Sequence, residues 1–456
     1  MDKITSGLAD YASNLRFKDA DDVTIFAAVG RLVDSIGCAL GAYNCEPAQI
    51  GRRLAAGQSS GKFPGRTLCY ADRLPAEAAA FVNTTMIRNL DFNDRYPGGH
   101  PSDCLGPLMA LAGAMHIDGK RFLTSMIAAY EIFARLSDAG RLSRRGWDQG
   151  HAVGIATATG VCNLLGLSRD VTANAVGIAA ASIVPLRVTR SGELTPWKNA
   201  ATAFAARNGL FAALLAAEGM VGPGEAFAGR DGLFDKITGP FDLAPFPSVG
   251  GAPLTPRVQL KYWPVETNAQ PVIWAALKLR EFTTADALQD IEVFTSKFTW
   301  FEIGSEPEKW DPRTPETADH SLPYIFARAL VDGPITVGSF RTETVLDPSL
   351  RPLMSRIRVT VDEKIEALLP NVSMRVRATA KDGAIHEVEV GNPLGHPANA
   401  MQDEHIAEKF RTLATPTLGS ERCEVALAGW REVVAAANIG QLMDLLDVDP
   451  TAVSLN

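Results

Sequence analysis

A glycine-bearing loop carries several groups that can exchange or orient protons. Asp91, Asp94, Arg95 and His100 fall within ten positions, and Ser102 follows just ahead of an apolar segment. A carboxylate at this spacing can orient an imidazole or tune its pKa, as general acid–base catalysis requires. The loop predicts His100 and Asp91 as catalytic residues and Arg95 and Ser102 as substrate-binding ones. The structural alternative is a loop in which Ser102 caps the next helix.

A lysine at the start of an alanine-rich helix is the second candidate. Lys198 follows Pro196 and Trp197 and precedes a helical pattern that ends near Gly219. A cation at a helix start opposes the macrodipole, which invites a functional explanation. Together with free backbone N–H groups, Lys198 could hold a substrate carboxylate and take part in catalysis. The alternative is a solvated lysine on a helix face.

A third set of polar residues lies where the composition of the chain shifts, which suggests a domain junction. Arg257 and Lys261 offer positive charge there, and Asn268 and Gln270 offer hydrogen bonds to carboxylate or hydroxyl groups. Clefts between domains are common ligand sites, so we expect Lys261, Asn268 and Gln270 to bind substrate. Salt bridging between the domains is the alternative for the charged residues.

A polar cluster also opens a later helix. His320 is predicted to bind substrate, and Tyr324 is predicted to act as a phenolic acid. Capping of the helix by Asp319, His320 or Ser321 is the alternative, and Tyr324 could belong to the core. His151 is predicted to face the same pocket, and the four histidines that remain are predicted to be structural.

Composition excludes several classes of protein. The 456 residues include 44 Lys and Arg against 52 Asp and Glu, and no run of five basic residues occurs. Nucleic-acid binding is therefore not expected, and an anionic substrate must be attracted by a few cations gathered in a cleft. The six cysteines show no Cys-x-x-Cys spacing, which argues against an iron–sulfur cluster or a structural zinc. We predict no metal and no cofactor.

The same sequence predicts a cytoplasmic protein without a membrane partner. No stretch resembles the apolar core of a signal peptide. No apolar run approaches the ~18 to 20 residues that a membrane-spanning helix needs. The cysteine spacings also fit a reducing compartment.

Hydrophobic periodicity divides the chain into two kinds of structure. From about residue 20 to 222, apolar residues recur at three- and four-residue steps in Ala-rich segments, and helical patterns return past Pro397. These segments predict an all-α helical domain formed by residues 1–258 together with 396–456. Residues 259–395 are predicted to form a smaller α+β lid domain, so the fold class is mainly α.

The strands of the lid domain are predicted from alternating β-branched and polar residues. They are Ile291–Thr299, Ser355–Val361, Met374–Ala380 and Ile385–Val390. Asp382–Gly383, between the last two, is a strong signal for a hairpin turn.

Taken together, the four polar stretches resemble the MmgE/PrpD family, whose members include 2-methylcitrate dehydratase, cis-aconitate decarboxylase and iminodisuccinate epimerase. The resemblance covers nearly the whole chain. It rests on Asp91-Phe-Asn-Asp, His100-Pro-Ser-Asp-Cys-Leu-Gly, Pro196-Trp-Lys198, Arg207-Asn-Gly, Gly222-Pro and Asp319-His-Ser-Leu-Pro-Tyr324. It implies a homodimer with an active site between the two domains, at which Asp91, His100, Lys198 and Tyr324 correspond to the family motifs.

Two departures from the family pattern concern the substrate pocket. A threonine is usual where Arg95 stands, and the loop from there to His100 is shorter than in the methylcitrate dehydratases. Relatives carry a histidine at the place of Asn268 or of Gln270. An amide exchanges no proton at neutral pH, so the acid–base pair must come from the other groups.

The sequence hypothesis is a cofactor-independent hydro-lyase that dehydrates a small hydroxy-polycarboxylate such as 2-methylcitrate or citrate. Lys198, Arg95 and Lys261 would bind its carboxylates, and His100 or Asp91 would remove a proton. Tyr324 or an imidazolium would protonate the departing hydroxyl. An epimerase, an isomerase or a decarboxylase of a related acid is the second hypothesis, and a non-enzymatic carboxylate sensor is the third.

Overall fold

The computed structural model describes residues 1–369 and 371–448. Within these residues the helices of the first part of the chain are α1 Lys3–Asn14, α2 Asp22–Gly41, α3 Glu46–Ala55, α4 Ala76–Arg88, α5 Leu105–Ala114, α6 Gly119–Gly140, α7 Gly150–Leu165, α8 Arg169–Ser182 and α9 Trp197–Ala217. Strands β1 Pro64–Arg66 and β2 Arg73–Pro75 form a small antiparallel pair that the hydrophobic pattern did not predict.

The second part of the chain mixes short helices with strands. Its helices are α10 Gln270–Arg280, α11 Lys297–Ile303, α12 Pro315–Ala318, α13 Leu322–Asp332, α14 Thr342–Leu346, α15 Arg351–Met354 and α16 Glu363–Glu366. Its strands are β3 Leu288–Thr295, β4 Ile357–Val361, β5 Met374–Ala380 and β6 Ile385–Val390. Three helices follow, α17 Asp403–Leu418, α18 Ser420–Arg431 and α19 Ile439–Asp444.

Small residues let the helices of the first part pack closely. A Cβ atom on Gly209 of α9 would lie 2.2 Å from the carbonyl oxygen of Gly154 on α7. The two helix backbones are therefore closer than any side chain would allow. Every residue of α5 is buried, and α7 is buried over nearly its whole length. The many alanines and glycines in this part of the sequence reflect this packing.

The C-terminal helices return to the helical core. The hydroxyl of Thr417 on α17 donates to the carbonyl of Leu40 on α2 at 3.2 Å. Buried apolar residues of α17, α18 and α19 belong to the same cluster as those of α1 to α9. We expected this return from the helical pattern past Pro397. Of the predicted range 396–456, residues 449–456 lie outside the described residues.

A second apolar core lies in the α+β part, and its buried members fall between Trp263 and Val390. Four strands form its sheet in the order β4-β3-β5-β6. Strand β3 pairs in parallel with β4 and antiparallel with β5, and β5 pairs antiparallel with β6. Helix α10 packs against β5, β6 and α13.

Two details of the lid test the strand predictions. The predicted strand Ile291–Thr299 is wrong at its C-terminal end, because β3 ends at Thr295 and the hydroxyl of Ser296 caps α11 by accepting from the backbone N–H of Thr299 at 3.1 Å. The turn at Asp382–Gly383 is confirmed, with Gly383 at φ +89°.

Helices α2 and α9 are long and apolar enough to cross a membrane by length and hydropathy alone. In each, 67% of the most apolar window is buried inside the fold, which is the burial of a core helix. The mainly α fold class, with a large helical domain and a smaller α+β domain, is confirmed.

Candidate active site between the helical and α+β domains

Asp91 lies at the centre of a group of buried charges. It follows α4 in the left-handed backbone region, at φ +46°, which is uncommon for a residue with a side chain. Lys261 holds this conformation, because its ammonium donates to the backbone carbonyl of Asp91 at 2.6 Å and to its carboxylate at 3.0 Å. Arg88, in the last turn of α4, donates to the same carboxylate oxygen. Asp91 is thus fixed by two cations: Arg88 of the helical domain, and Lys261, which lies near the boundary between the two domains.

The electrostatics keep Asp91 ionised. Burial alone would raise the pKa of its carboxyl, but the charges of Arg88, Lys261 and Lys198 outweigh burial and hold that pKa well below its usual range. Burial lowers the pKa of the Lys261 ammonium. The ionised carboxylate of Asp91 therefore balances the charges of the neighbouring cations.

His100 approaches Asp91 from the following loop. Its Nδ1–H donates to the backbone carbonyl of Asp94 at 2.6 Å, and its backbone N–H donates to the side chain of Gln149 at 2.7 Å. The unprotonated Nε2 therefore faces the carboxylate of Asp91, 3.8 Å away. Burial, helped by Arg88 and Lys261, lowers the pKa of His100 well below its usual value. His100 is a neutral imidazole with a free lone pair.

A second imidazole faces Asp91 from the α+β domain. Nε2 of His320 lies 3.7 Å from the other carboxylate oxygen of Asp91. Its Nδ1 lies 2.5 Å from Asp319, and the ammonium of Lys198 lies 2.9 Å from both Asp319 oxygens and 3.3 Å from Nδ1. Burial lowers the pKa of His320 to about 3, with a further contribution from Lys198. The two imidazoles thus flank one carboxylate.

Lys198 is positioned by contacts that join the two domains. It lies in the first turn of α9 and is fully buried. The chain just before it is held by the α+β domain, because the backbone N–H of Leu194 donates to Thr317 at 3.0 Å and the hydroxyl of Thr314 donates to the Leu194 carbonyl at 2.8 Å. The ammonium of Lys198 also lies 3.7 Å from Asp91. We call the group so assembled the buried charge cluster: Arg88, Asp91, His100, Lys198, Lys261, Asp319 and His320.

Arg95 lies at the edge of this cluster. Its backbone forms an antiparallel bridge with Gln259, with N···O distances of 2.8 and 2.7 Å. Its side chain is partly buried and interacts electrostatically with Glu266, whose pKa burial raises. No hydrogen bond to the Arg95 guanidinium is found among residues 1–369 and 371–448, so its donors are free for a ligand.

Ser102 holds the loop around Asp94 in place through hydrogen bonds. Its hydroxyl donates to Asp94 at 2.6 Å, and its backbone N–H donates to the same oxygen at 3.0 Å. Asn93 donates to the Ser102 hydroxyl at 2.8 Å. Burial raises the pKa of Asp94 to about 6. Ser102 therefore orients the loop whose Asp94 carbonyl orients His100.

Four residues predicted for the site use polar atoms in contacts with other parts of the fold. The Tyr324 hydroxyl donates to the backbone carbonyl of Ser339 at 2.6 Å, so we withdraw it as the catalytic acid. The Gln270 amide is used by the backbone of residues 262 and 263. Asn268 donates to Glu266, and Nδ1 of His151 donates to the Ile183 carbonyl at 2.6 Å. These contacts position loops and helices. Nε2 of His151 is buried and has no hydrogen-bond partner among residues 1–369 and 371–448.

The sequence prediction missed two members of the buried charge cluster, Arg88 and Asp319, and the nearby Glu266. Arg88 has the sequence position of a cation at a helix C-terminus, which is its ordinary place. Asp319 was interpreted as a helix cap, and Glu266 was passed over inside a motif that was already assigned. The sequence could have indicated Asp319 and Glu266, because each is an acidic residue close to a predicted substrate-binding residue. Asp319 precedes His320, and Glu266 lies two positions before Asn268.

Asp91, Asp319 and His320 also have the donor atoms of a metal site, within 4.8 Å of one another. The ammonium of Lys198 already lies among these donors, 2.9 Å from Asp319 and 3.7 Å from Asp91. A divalent cation bound here would have to displace it. The donor set therefore fits an ion-paired lysine better than a metal ion.

A helical domain and an α+β domain meet at a cluster of buried carboxylates, imidazoles and ammonium groups, an arrangement that can support acid–base chemistry. Family models for the MmgE/PrpD N-terminal domain and C-terminal domain match residues 6–245 and 263–431, respectively. The chain belongs to the MmgE/PrpD family.

Relatives agree with this assignment. The chain is 28% identical to the 2-methylcitrate dehydratase of Escherichia coli (strain K12), over 89% of this chain and 88% of the relative. It is 27% identical to the mitochondrial 2-methylcitrate dehydratase of Yarrowia lipolytica, over 97% and 90%. It is 28% identical to the cis-aconitate decarboxylase of Homo sapiens, over 77% and 75%. At the level of the family, these similarities support a lyase-type enzyme.

Proposed function

We propose that the protein dehydrates a small hydroxy-polycarboxylate of the 2-methylcitrate or citrate kind. The observation that carries the proposal is the pair of imidazoles, His100 and His320, whose Nε2 atoms lie 3.8 and 3.7 Å from opposite oxygens of Asp91. Elimination of water needs one group that accepts a proton from carbon and one that donates a proton to the departing hydroxyl. Two imidazoles directed at one place can divide these tasks.

His100 is the proposed base. Its Nδ1–H is fixed by the Asp94 carbonyl, which leaves Nε2 unprotonated and directed toward Asp91. Its lowered pKa keeps the imidazole neutral at physiological pH. General acid–base groups of this kind contribute ~10²- to 10⁴-fold to rate.

His320 is the proposed acid, with Asp319 and Lys198 as its supports. The carboxylate of Asp319 stabilises the imidazolium form, and bound substrate carboxylates raise the pKa of His320 from the value near 3 that it has without ligand. The ammonium groups of Lys198 and Lys261 stabilise the negative charge that builds beside the carbon losing its proton. This assignment takes the place of Tyr324.

Binding of polycarboxylates is favoured by the charge balance. Arg88, Lys198 and Lys261 face two carboxylates, Asp91 and Asp319, while the imidazoles are neutral. The cluster thus carries one net positive charge, and at its edge Arg95 lies near Glu266. This local excess attracts an anion to a protein whose net charge is −8.

The decisive experiment is proton NMR of candidate hydroxy acids in D₂O with purified protein. From citrate, a new vinylic proton signal is expected. From 2-methylcitrate, the methyl doublet should be replaced by a singlet from a methyl group on an alkene carbon. Deuterium exchange at carbon without an alkene would instead favour an epimerase, and release of carbon dioxide from an unsaturated acid would favour a decarboxylase. The same reaction run with EDTA should keep its rate, because Lys198 lies where a metal ion would bind.

His100→Gln tests the base. The variant should fold as the parent protein does and lose about 10²- to 10⁴-fold in kcat/KM. A folded His100→Gln protein with parental turnover would remove His100 from the mechanism.

A further inference from the structure

Arg190 has hydrogen-bonding capacity that the fold leaves unused. It ends a short 3-10 turn, Arg187–Arg190, that follows α8 and leads toward Lys198. Its Nε donates to Asp148 at 2.6 Å, and its side chain is only 12% exposed. Within residues 1–369 and 371–448, neither terminal nitrogen has a hydrogen-bond partner, and Nη2 is completely buried. A buried donor without a partner is costly, so native proteins rarely retain one without a reason.

The surroundings place Arg190 beside the buried charge cluster. Its partner Asp148 directly precedes Gln149, and the Gln149 side chain accepts the backbone N–H of His100 at 2.7 Å. The Arg190 guanidinium also interacts electrostatically with Asp91 and Asp103. The side chain is held on its Nε edge, so its free edge is pre-organised rather than mobile.

The neighbouring arginine in the same turn shows the contrast. Arg187 pairs with Glu302 of the α+β domain at 2.6 Å, which satisfies its charge and joins the two domains. Arg190 is tethered through Nε alone. The two terminal nitrogens of a guanidinium form a planar fork that matches the two oxygens of a carboxylate.

We propose that the free edge of Arg190 binds a carboxylate of the substrate that is remote from the reacting carbon. This inference rests on the proposed function, since it specifies how the same site recognises its polycarboxylate. Lys198, Lys261 and Arg95 take one carboxylate beside the reacting carbon, and Arg190 takes another. The site therefore selects acids with at least two carboxylates and discriminates against analogues in which the remote one is neutral.

The test uses tricarballylate, a tricarboxylate without the hydroxyl, as a probe that binds but cannot lose water. Its affinity and those of its terminal and central monoamides are measured by calorimetry on the full chain and on Arg190→Gln. The parent protein should lose affinity for both amides. In Arg190→Gln, affinity for tricarballylate should fall about tenfold to a hundredfold, and one of the two amides should bind no more weakly than tricarballylate itself.

Two variants make the result interpretable. Arg190→Lys keeps a positive charge near Asp148 and lacks the planar fork, so it should fold like the parent and still bind tricarballylate more weakly. Arg207→Gln removes the same charge from the outer side of α9, beside Phe204, and should leave the affinity within about twofold. Parental affinity in both Arg190 variants, or amide penalties that persist unchanged, would overturn the proposal.

Failure of the proposed function has a different signature. If the protein binds tricarballylate through Arg190 but forms no alkene from 2-methylcitrate or citrate, the recognition stands and the reaction is another one. If it dehydrates a hydroxy acid and Arg190 variants bind the probe normally, the reaction stands and this inference is wrong.

Discussion

The apolar core of the helical domain and the buried charge cluster are equally buried and are stabilised in opposite ways. In the core, helices such as α5 and α7 exclude water with alanine, glycine and leucine, and each apolar contact adds to stability. In the cluster, each charge lost its hydration on burial and is tolerated only because an opposite charge lies beside it. A protein that needed stability alone would fill this space with apolar side chains. This contrast supports the proposal that the cluster is the active site.

The largest effect should follow from breaking one charge pair. Lys198→Met leaves Asp319 and Asp91 without their shared cation, and we expect a destabilisation of about 3–5 kcal/mol. Activity should fall about 10²- to 10³-fold, because the stabilising charge at the reacting carbon is gone. Denaturant unfolding and kcat/KM measure the two losses.

The double variant Lys198→Met/Asp319→Asn sharpens this test. Removing both partners should restore much of the stability, since no unpaired charge remains buried, while activity stays low. A double variant as unstable as Lys198→Met would show that the pair stabilises the fold in its own right.

A truncation in the apolar core should lower stability and leave the activity of the folded protein nearly unchanged. Phe133 on α6 is completely buried, and Phe133→Ala should cost about 3–5 kcal/mol. The kcat/KM of the folded fraction should stay within about threefold of the parent value, because no contact with the cluster changes. Urea unfolding measures the first quantity. Loss of activity in a protein of parental stability would contradict the division between the two regions.

The cluster should also give the activity a pH dependence that the core cannot give. Burial lowers the pKa of His100 well below 6.5, and the base must be neutral to accept a proton. The acid side of the kcat/KM profile should therefore lie well below pH 6.5. The stability of the fold should also decrease as the pH falls below 6.5. In that range the imidazole of His100 binds a proton in the unfolded chain, whereas its lowered pKa keeps it neutral in the folded protein. An acid limb at pH 6.5 or above would show that His100 is not the base.

The smallest effect is expected at Tyr324. Its hydroxyl donates to the Ser339 carbonyl within the lid, so Tyr324→Phe should cost about 1 kcal/mol of stability. The value of kcat should change by less than about threefold. A loss of several hundredfold in kcat would return Tyr324 to the catalytic machinery.

Sequence patterns were informative where residue type and loop position coincide. The sequence indicated the loop with Asp91 and His100 and the helix starts with Lys198 and His320. At these positions a polar or charged side chain has no obvious structural role, so a functional one was considered. The direction of a side chain is set by tertiary packing, so the sequence could not show that Tyr324 faces Ser339. Arg190 was missed for the same reason. It lies in a short turn of ordinary composition, and the sequence cannot show that the terminal nitrogens of its guanidinium lack hydrogen-bond partners.

The lysine of α17 links the C-terminal region to two segments of the buried charge cluster. Lys409 pairs with Asp34 at 2.6 Å and donates to the backbone carbonyls of Phe92 and Lys261 at 2.7 and 2.9 Å. These carbonyls belong to the two segments that carry Asp91 and Lys261. Asp91 and Lys261 lie 170 positions apart in the chain. The packing of α17 therefore helps to set the distance between two segments that the sequence separates widely.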